Sequence, residues 1–116
     1  MDNLDKQAQM LRKLTAIRES FLHRTRGELP LLLDLIGRIR AGDFTAIPQL
    51  QILAHRIYGS GATFDFSAIS ENAGQIENLL EALADTPSAV AVDPHDLGRL
   101  VECGRRLASE IGAALI

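Results

Sequence analysis

Apolar residues recur along this chain at three- and four-residue steps, the period of one face of an α-helix. Leu11, Leu14, Phe21 and Leu22 mark a first stretch, and Leu29, Leu32, Leu33, Ile36 and Ile39 a second. Gly27 and Pro30 lie between them, and an interior proline removes a hydrogen bond and crowds the preceding turn. The pattern predicts helices over about 4–26 and 28–41, or one long helix kinked near Pro30. After Ala41-Gly42-Asp43, a helix over about 45–61 carries Ile47, Leu50, Leu53, Ala54 and Ile57, with Asp43 or Thr45 as its cap and Pro48 in its first turn. Ser67 is the expected cap of a helix over 67–84 striped by Ile69, Ala73, Ile76, Leu80 and Leu83. Asp85-Thr86-Pro87-Ser88 ends that helix, and Ala89 to Val92 reads as a short apolar linker. Asp93, Pro94 and Asp96 form a clear start signal for a last helix over 94–114, with Leu97, Leu100, Val101, Leu107, Ala108 and Ile111 inward. Short connections favour antiparallel neighbours. The expected fold is all-α: an antiparallel up-down four-helix bundle core with an extra N-terminal helix or helix extension.

Composition narrows what such a bundle does. With 116 residues the chain is long enough for one domain, 1–116, and one core. A net charge of −3 lacks the basic face that a general nucleic-acid binder needs. Cys103 is the only cysteine, so no internal disulfide forms; it reads as a buried thiol. The acidic start Met1-Asp2-Asn3-Leu4-Asp5 does not resemble a signal peptide, and no run approaches the ~20 apolar residues of a membrane span. A cytoplasmic protein without membrane insertion is expected.

The candidate chemistry centres on His55. At ~100° per residue, Leu50, Leu53, Ala54 and Ile57 form the buried seam of its helix, and His55 lies about 160° from Ile57, on the outside. Pro48, Ile52, Gly59 and Ala62 share its face, which is small and apolar where a solvated face is usually charged. Such a patch often marks an interface. Gly59, one turn on, leaves the imidazole open, although it also suits the weakening end of a helix. In an antiparallel hairpin turning near Phe66, His55 and Glu77 are each 11 positions from the turn, hence at one height. A carboxylate accepting the Nδ1 proton would leave Nε2 as the nucleophilic nitrogen. An ordinary surface glutamate is the alternative for Glu77.

The stretch Ala54-His55-Arg56-Ile57-Tyr58-Gly59-Ser60-Gly61-Ala62-Thr63-Phe64-Asp65-Phe66, continued by Ile76-Glu77-Asn78-Leu79-Leu80, resembles the histidine phosphotransfer (HPt) domain, and is similar to the phosphotransfer domain of chemotaxis histidine kinases. Phe21 to Leu33 resembles the helix that precedes the motif. The strong part covers about 30 residues, and the helix order fits nearly the whole chain. The resemblance implies a four-helix core, phosphorylation of His55 on Nε2, and Glu77 as the residue that holds the other ring nitrogen. It places Arg56, Tyr58, Gly59 and Ser60 beside the acceptor, with Ile52 and Ala62 on the docking face. Two positions depart from the family pattern. Tyr58 stands where a lysine near the phosphoryl group is usual, and Asp65 where a glycine is common near the turn. Tyrosine donates one hydrogen bond but carries no positive charge. Arg56 carries one, but points about 100° from His55 around the helix.

The implied function is a phosphohistidine carrier in a multistep phosphorelay, exchanging phosphoryl groups with receiver-domain aspartates or a sensor histidine kinase. The implied partners are response-regulator receivers or such a kinase, and Mg²⁺ comes with the receiver, so this chain needs no cofactor of its own. His23 and His95 have no ligand-spaced companions; Asp93 and Asp96 beside His95 are better explained as helix-start residues. No glycine-rich nucleotide loop follows a strand, so autonomous kinase activity is not expected, and Ser60 has no triad. Two other classes stay open: a docking module that inhibits or scaffolds a kinase or receiver without carrying phosphate, and a structural bundle that dimerises through a leucine-rich face. A monomer is expected, binding one partner at a time through its acceptor surface.

Overall fold

A computed structural model describes residues 3–85 and 92–116. The expected end of the third helical stretch at Thr86-Pro87-Ser88 and most of the apolar linker lie outside the described residues. Helix α1 (Asn3–Arg40) is followed by a 3₁₀ turn (Phe44–Ala46), α2 (Ile47–Thr63), α3 (Ser67–Ala84) and α4 (Pro94–Ala114), and no strand occurs among the described residues. The N-terminal element is the helix extension: α1 runs unbroken through Gly27 and Pro30. Both residues are exposed, so the carbonyl that loses its hydrogen bond to the proline faces water instead of a dry core.

Each helix packs on two neighbours: α2 on α3, α3 on α4, α4 on α1 and α1 on α2. Their shared core holds Leu32, Leu35 and Ile39 of α1, Leu50 and Ile57 of α2, Ile76 and Leu80 of α3, and Leu100, Leu107 and Ile111 of α4. Every apolar position expected inside α2 and α3 is buried. Leu35 joins them unforeseen, while Leu11, Leu14 and Leu33 are exposed, contrary to the stripe assigned to α1. Leu11 and Leu14 lie on the first half of α1, where no other helix among the described residues buries them. Cys103 is buried, its thiol 3.3 Å from Gln75 Oε1, and burial pushes its pKa up.

The ends are built as follows. Asp43 caps the 3₁₀ turn, not α2: its carboxylate accepts from Thr45 N at 3.2 Å and from Arg38. Those contacts hold its carboxyl below the usual range, the Thr45 side-chain bond contributing most and Arg38 next. Asp93 caps α4 by accepting from His95 N at 2.9 Å. Ser67 does not cap α3; Phe66 occupies the cap position without a side-chain bond. Its ring stacks on Phe21 at 5.8 Å and lies under the Arg18 guanidinium at 4.6 Å, so aromatic packing fixes the entry into α3. Asp65 adopts φ +65° in the α2–α3 turn. That left-handed conformation favours glycine, with aspartate among the residues that tolerate it.

Candidate functional site

Three contacts between α2 and α3 step together away from the turn, as an antiparallel pair requires. Nearest the turn, Gly61 lies against Ser70, where a Cβ would come within 3.2 Å of the Ser70 backbone nitrogen. One turn further, the Tyr58 ring crosses Gly74, where a Cβ would come within 2.9 Å of the ring. Ser70 Oγ donates to the Tyr58 carbonyl at 2.8 Å and ties the two levels together. One turn further again, His55 Nδ1 lies 3.0 Å from Glu77 Oε2. The small residues at the first two levels bring the helix axes close enough for a glutamate to span from one helix to the other at the third.

The imidazole stands outside the core. The His55 side chain is 76 % exposed and the Glu77 side chain 23 %. Gln51, Ile52, Arg56, Glu77 and Glu81 form an open hollow with His55. Ile52 is 73 % exposed, an apolar side chain one turn before the histidine that makes no use of the core. Gly59 is exposed, and a Cβ there would meet nothing within 4 Å. Packing therefore places no demand on glycine at that position.

The remaining candidates separate. Arg56 is drawn away to α1, where its guanidinium pairs with Glu28 Oε2, and Arg24 Nε lies 3.4 Å from the other Glu28 oxygen. Its pKa is lowered, chiefly by burial and then by Arg24. Ser60 borders a cleft with Phe21, Arg24, Glu28 and Arg56 between α1 and α2, which shares Arg56 with the His55 hollow but not His55 itself. Ala62 lines a groove with Tyr58, Ser70 and Glu71 on the α3 side. Sequence reasoning missed Glu81, Gln51, Glu28, Ser70 and Gly74. Glu81 was accessible to it, being one turn after Glu77. Gly74 was not, since its use depends on Tyr58 lying across α3.

The arrangement is thus an exposed imidazole with one nitrogen held by a carboxylate and the other turned to solvent, on the outer face of a four-helix bundle. A match to the Hpt domain family covers residues 7–114, nearly the whole chain. This chain belongs to the Hpt domain family, whose members carry out histidine phosphotransfer in phosphorelay signalling and interact with receiver domains and kinases. No curated protein and no solved structure shows a significant match to it. Among the described residues, no helix is long and apolar enough to cross a membrane.

Proposed function

We propose that His55 Nε2 accepts a phosphoryl group from a receiver-domain aspartyl phosphate or a sensor kinase and passes it on. The observation that carries this is the 3.0 Å contact between His55 Nδ1 and Glu77 Oε2 on an imidazole that is otherwise exposed. With the ring proton on Nδ1 donated to Glu77, the Nε2 lone pair points outward. In the forward step that lone pair attacks phosphorus in line. The N–P bond forms as the P–O bond to the aspartate breaks, and the carboxylate leaves with the electron pair. The ring gains positive charge in the process, and the Glu77 carboxylate stabilises that charge where it develops. Return to a second receiver reverses the same bonds. Phosphoryl transfer of this kind is mostly positioning and charge stabilisation. Mg²⁺ and the acidic residues that hold it belong to the receiver.

Docking falls to the apolar face around the acceptor: Ile52 above it and Gly59, Tyr58 and Ala62 toward the turn. Arg56 supports the α1–α2 packing through Glu28 and acts on the phosphoryl group only at a distance. The site of action is the cytoplasm, where receivers and kinase domains reside. A docking module that carries no phosphate is the second reading. It is favoured by Tyr58 in the lysine position, by Arg56 being engaged with Glu28, and by Glu81 next to Glu77.

Incubation with a panel of phosphorylated receivers and kinases separates the two. Wild type is expected to take up an acid-labile, base-stable label that His55→Gln does not. Stable complexes with no label on the wild-type chain would establish the docking module instead.

A further inference from the structure

The ladder between α2 and α3 has one more level beyond the acceptor. Counting away from the turn, Gly61 meets Ser70, Tyr58 meets Gly74 and His55 meets Glu77. The next level sets Gln51, one turn before His55, against Glu81, one turn after Glu77. Both line the hollow beside His55. Glu81 is exposed, and among the described residues its carboxylate has no hydrogen-bond or ion-pair partner. One helical turn puts its Cβ about 6 Å from that of Glu77.

The charges around this hollow do not balance within the chain. Helix α3 carries Glu71, Glu77 and Glu81 but no lysine or arginine. Arg56 is the only cation of that kind on α2, and Glu28 of α1 already holds it. Tyr58 is neutral. A phosphoryl group brings up to about two negative charges at pH 7. Glu77 is matched by the positive charge that the ring acquires, whereas Glu81 is matched by nothing in this chain and opposes the incoming phosphoryl. Transfer works by offsetting charge, so this uncompensated carboxylate at the mouth of the site calls for a cation from the partner. Ile52, 73 % exposed, gives the same rim an apolar contact.

We infer that Glu81 is a specificity-determining residue of the transfer. It binds a lysine or arginine on the rim of the receiver's docking surface, and so selects receivers that carry one there. The inference rests on His55 being the acceptor. Seated on Glu81, the partner's cation cancels the charge that opposes the phosphoryl group. A receiver with a carboxylate at that place meets like charge and docks poorly. A charge pair on the rim of a contact acts mainly on the encounter rate and on its dependence on salt.

The probes are the receivers that label the wild-type chain. Transfer is timed well below saturation, at about 50 mM salt and again at about 500 mM. At low salt the rate is expected to fall about threefold for Glu81→Gln and about tenfold for Glu81→Lys, and both differences shrink at high salt. Melting temperatures should not change, because the side chain is exposed. Lysines and arginines on the rim of the receiver's docking surface are then reversed to glutamate one at a time. One such reversal is expected to slow transfer to the wild-type chain and to restore it to Glu81→Lys. A labelled His55 with equal rates for wild type and Glu81→Lys overturns this inference alone. So does a slow Glu81→Lys chain that no reversal on the receiver restores. A wild-type chain that takes no label from any receiver overturns the acceptor reading, and this inference with it.

Discussion

Removing the Glu77 carboxylate isolates its part in the transfer step. A hydrogen bond to a charged group contributes ~1.5–3 kcal/mol. His55 is 76 % exposed, so water competes for the imidazolium and the lower part of that range applies. A loss of about 1–2 kcal/mol in the transition state slows transfer roughly 5- to 30-fold. Glu77→Ala is expected to show the whole effect. Glu77→Gln keeps an acceptor at the same reach but no negative charge, and is expected to fall between. Rapid-quench measurement of transfer from a phosphorylated receiver gives the rates. Melting curves check that the bundle stands: Glu77 lies outside the core, and surface substitutions usually stay within ~0.5 kcal/mol, a shift of about 3 °C or less. A Glu77→Ala chain that transfers at the wild-type rate with an unchanged melting temperature would refute the role given to the carboxylate. A Glu77→Gln chain as slow as Glu77→Ala would show that charge, and not orientation of the ring, is what the glutamate supplies.

Tyr58→Lys places a cation one helical turn from the acceptor, at about 6 Å. Against a phosphoryl dianion in water that attraction is roughly 1 kcal/mol, so the phosphorylated fraction of this chain at equilibrium with a receiver is expected to rise about fivefold. Quantifying both phosphoproteins after exchange checks it, and an unchanged ratio would mean the side chain does not reach the phosphoryl group. For Asp43, the folded-state pKa is depressed, so its contribution to stability is present above the unfolded value and lost as pH falls through the folded one. Melting temperature followed from pH 7 down into the acid range is expected to fall less steeply for Asp43→Asn than for wild type; parallel curves would rule out the Asp43 cap as a source of acid sensitivity.

Much of the site was legible from the sequence because it depends on two local periodicities. The seam of α2 put His55 outside, and equal distances from Phe66 put Glu77 at its height; both follow from regular helices joined by a tight turn. Leu50, Ile57, Ile76 and Leu80 were legible as core for the same reason. What could not be read were properties of pairs distant in sequence. Nothing local says that Arg56 turns to Glu28 on α1, or that Gly74 is bare because Tyr58 lies across it. At Pro30 the sequence left two helices or one kinked helix open, and a related cause decides for a single α1. Proline's cost depends on whether the freed carbonyl faces water, and that is decided by which side of α1 the bundle covers. Leu11 and Leu14 show the opposite error: an apolar stripe reads as a helix face that the bundle will cover, yet both side chains are exposed.

His55 and Glu77 both come from helix interiors, several residues from any loop, on helices locked together at Gly61 and Gly74. Such a face has little to rearrange. A partner that docks on it meets a surface already in its bound shape, so association proceeds as a rigid-body encounter on this side. In the transfer proposed for His55, the adjustment on docking then falls to the partner. One unyielding face can then serve successive donors and acceptors, each carrying its own adjustment to it.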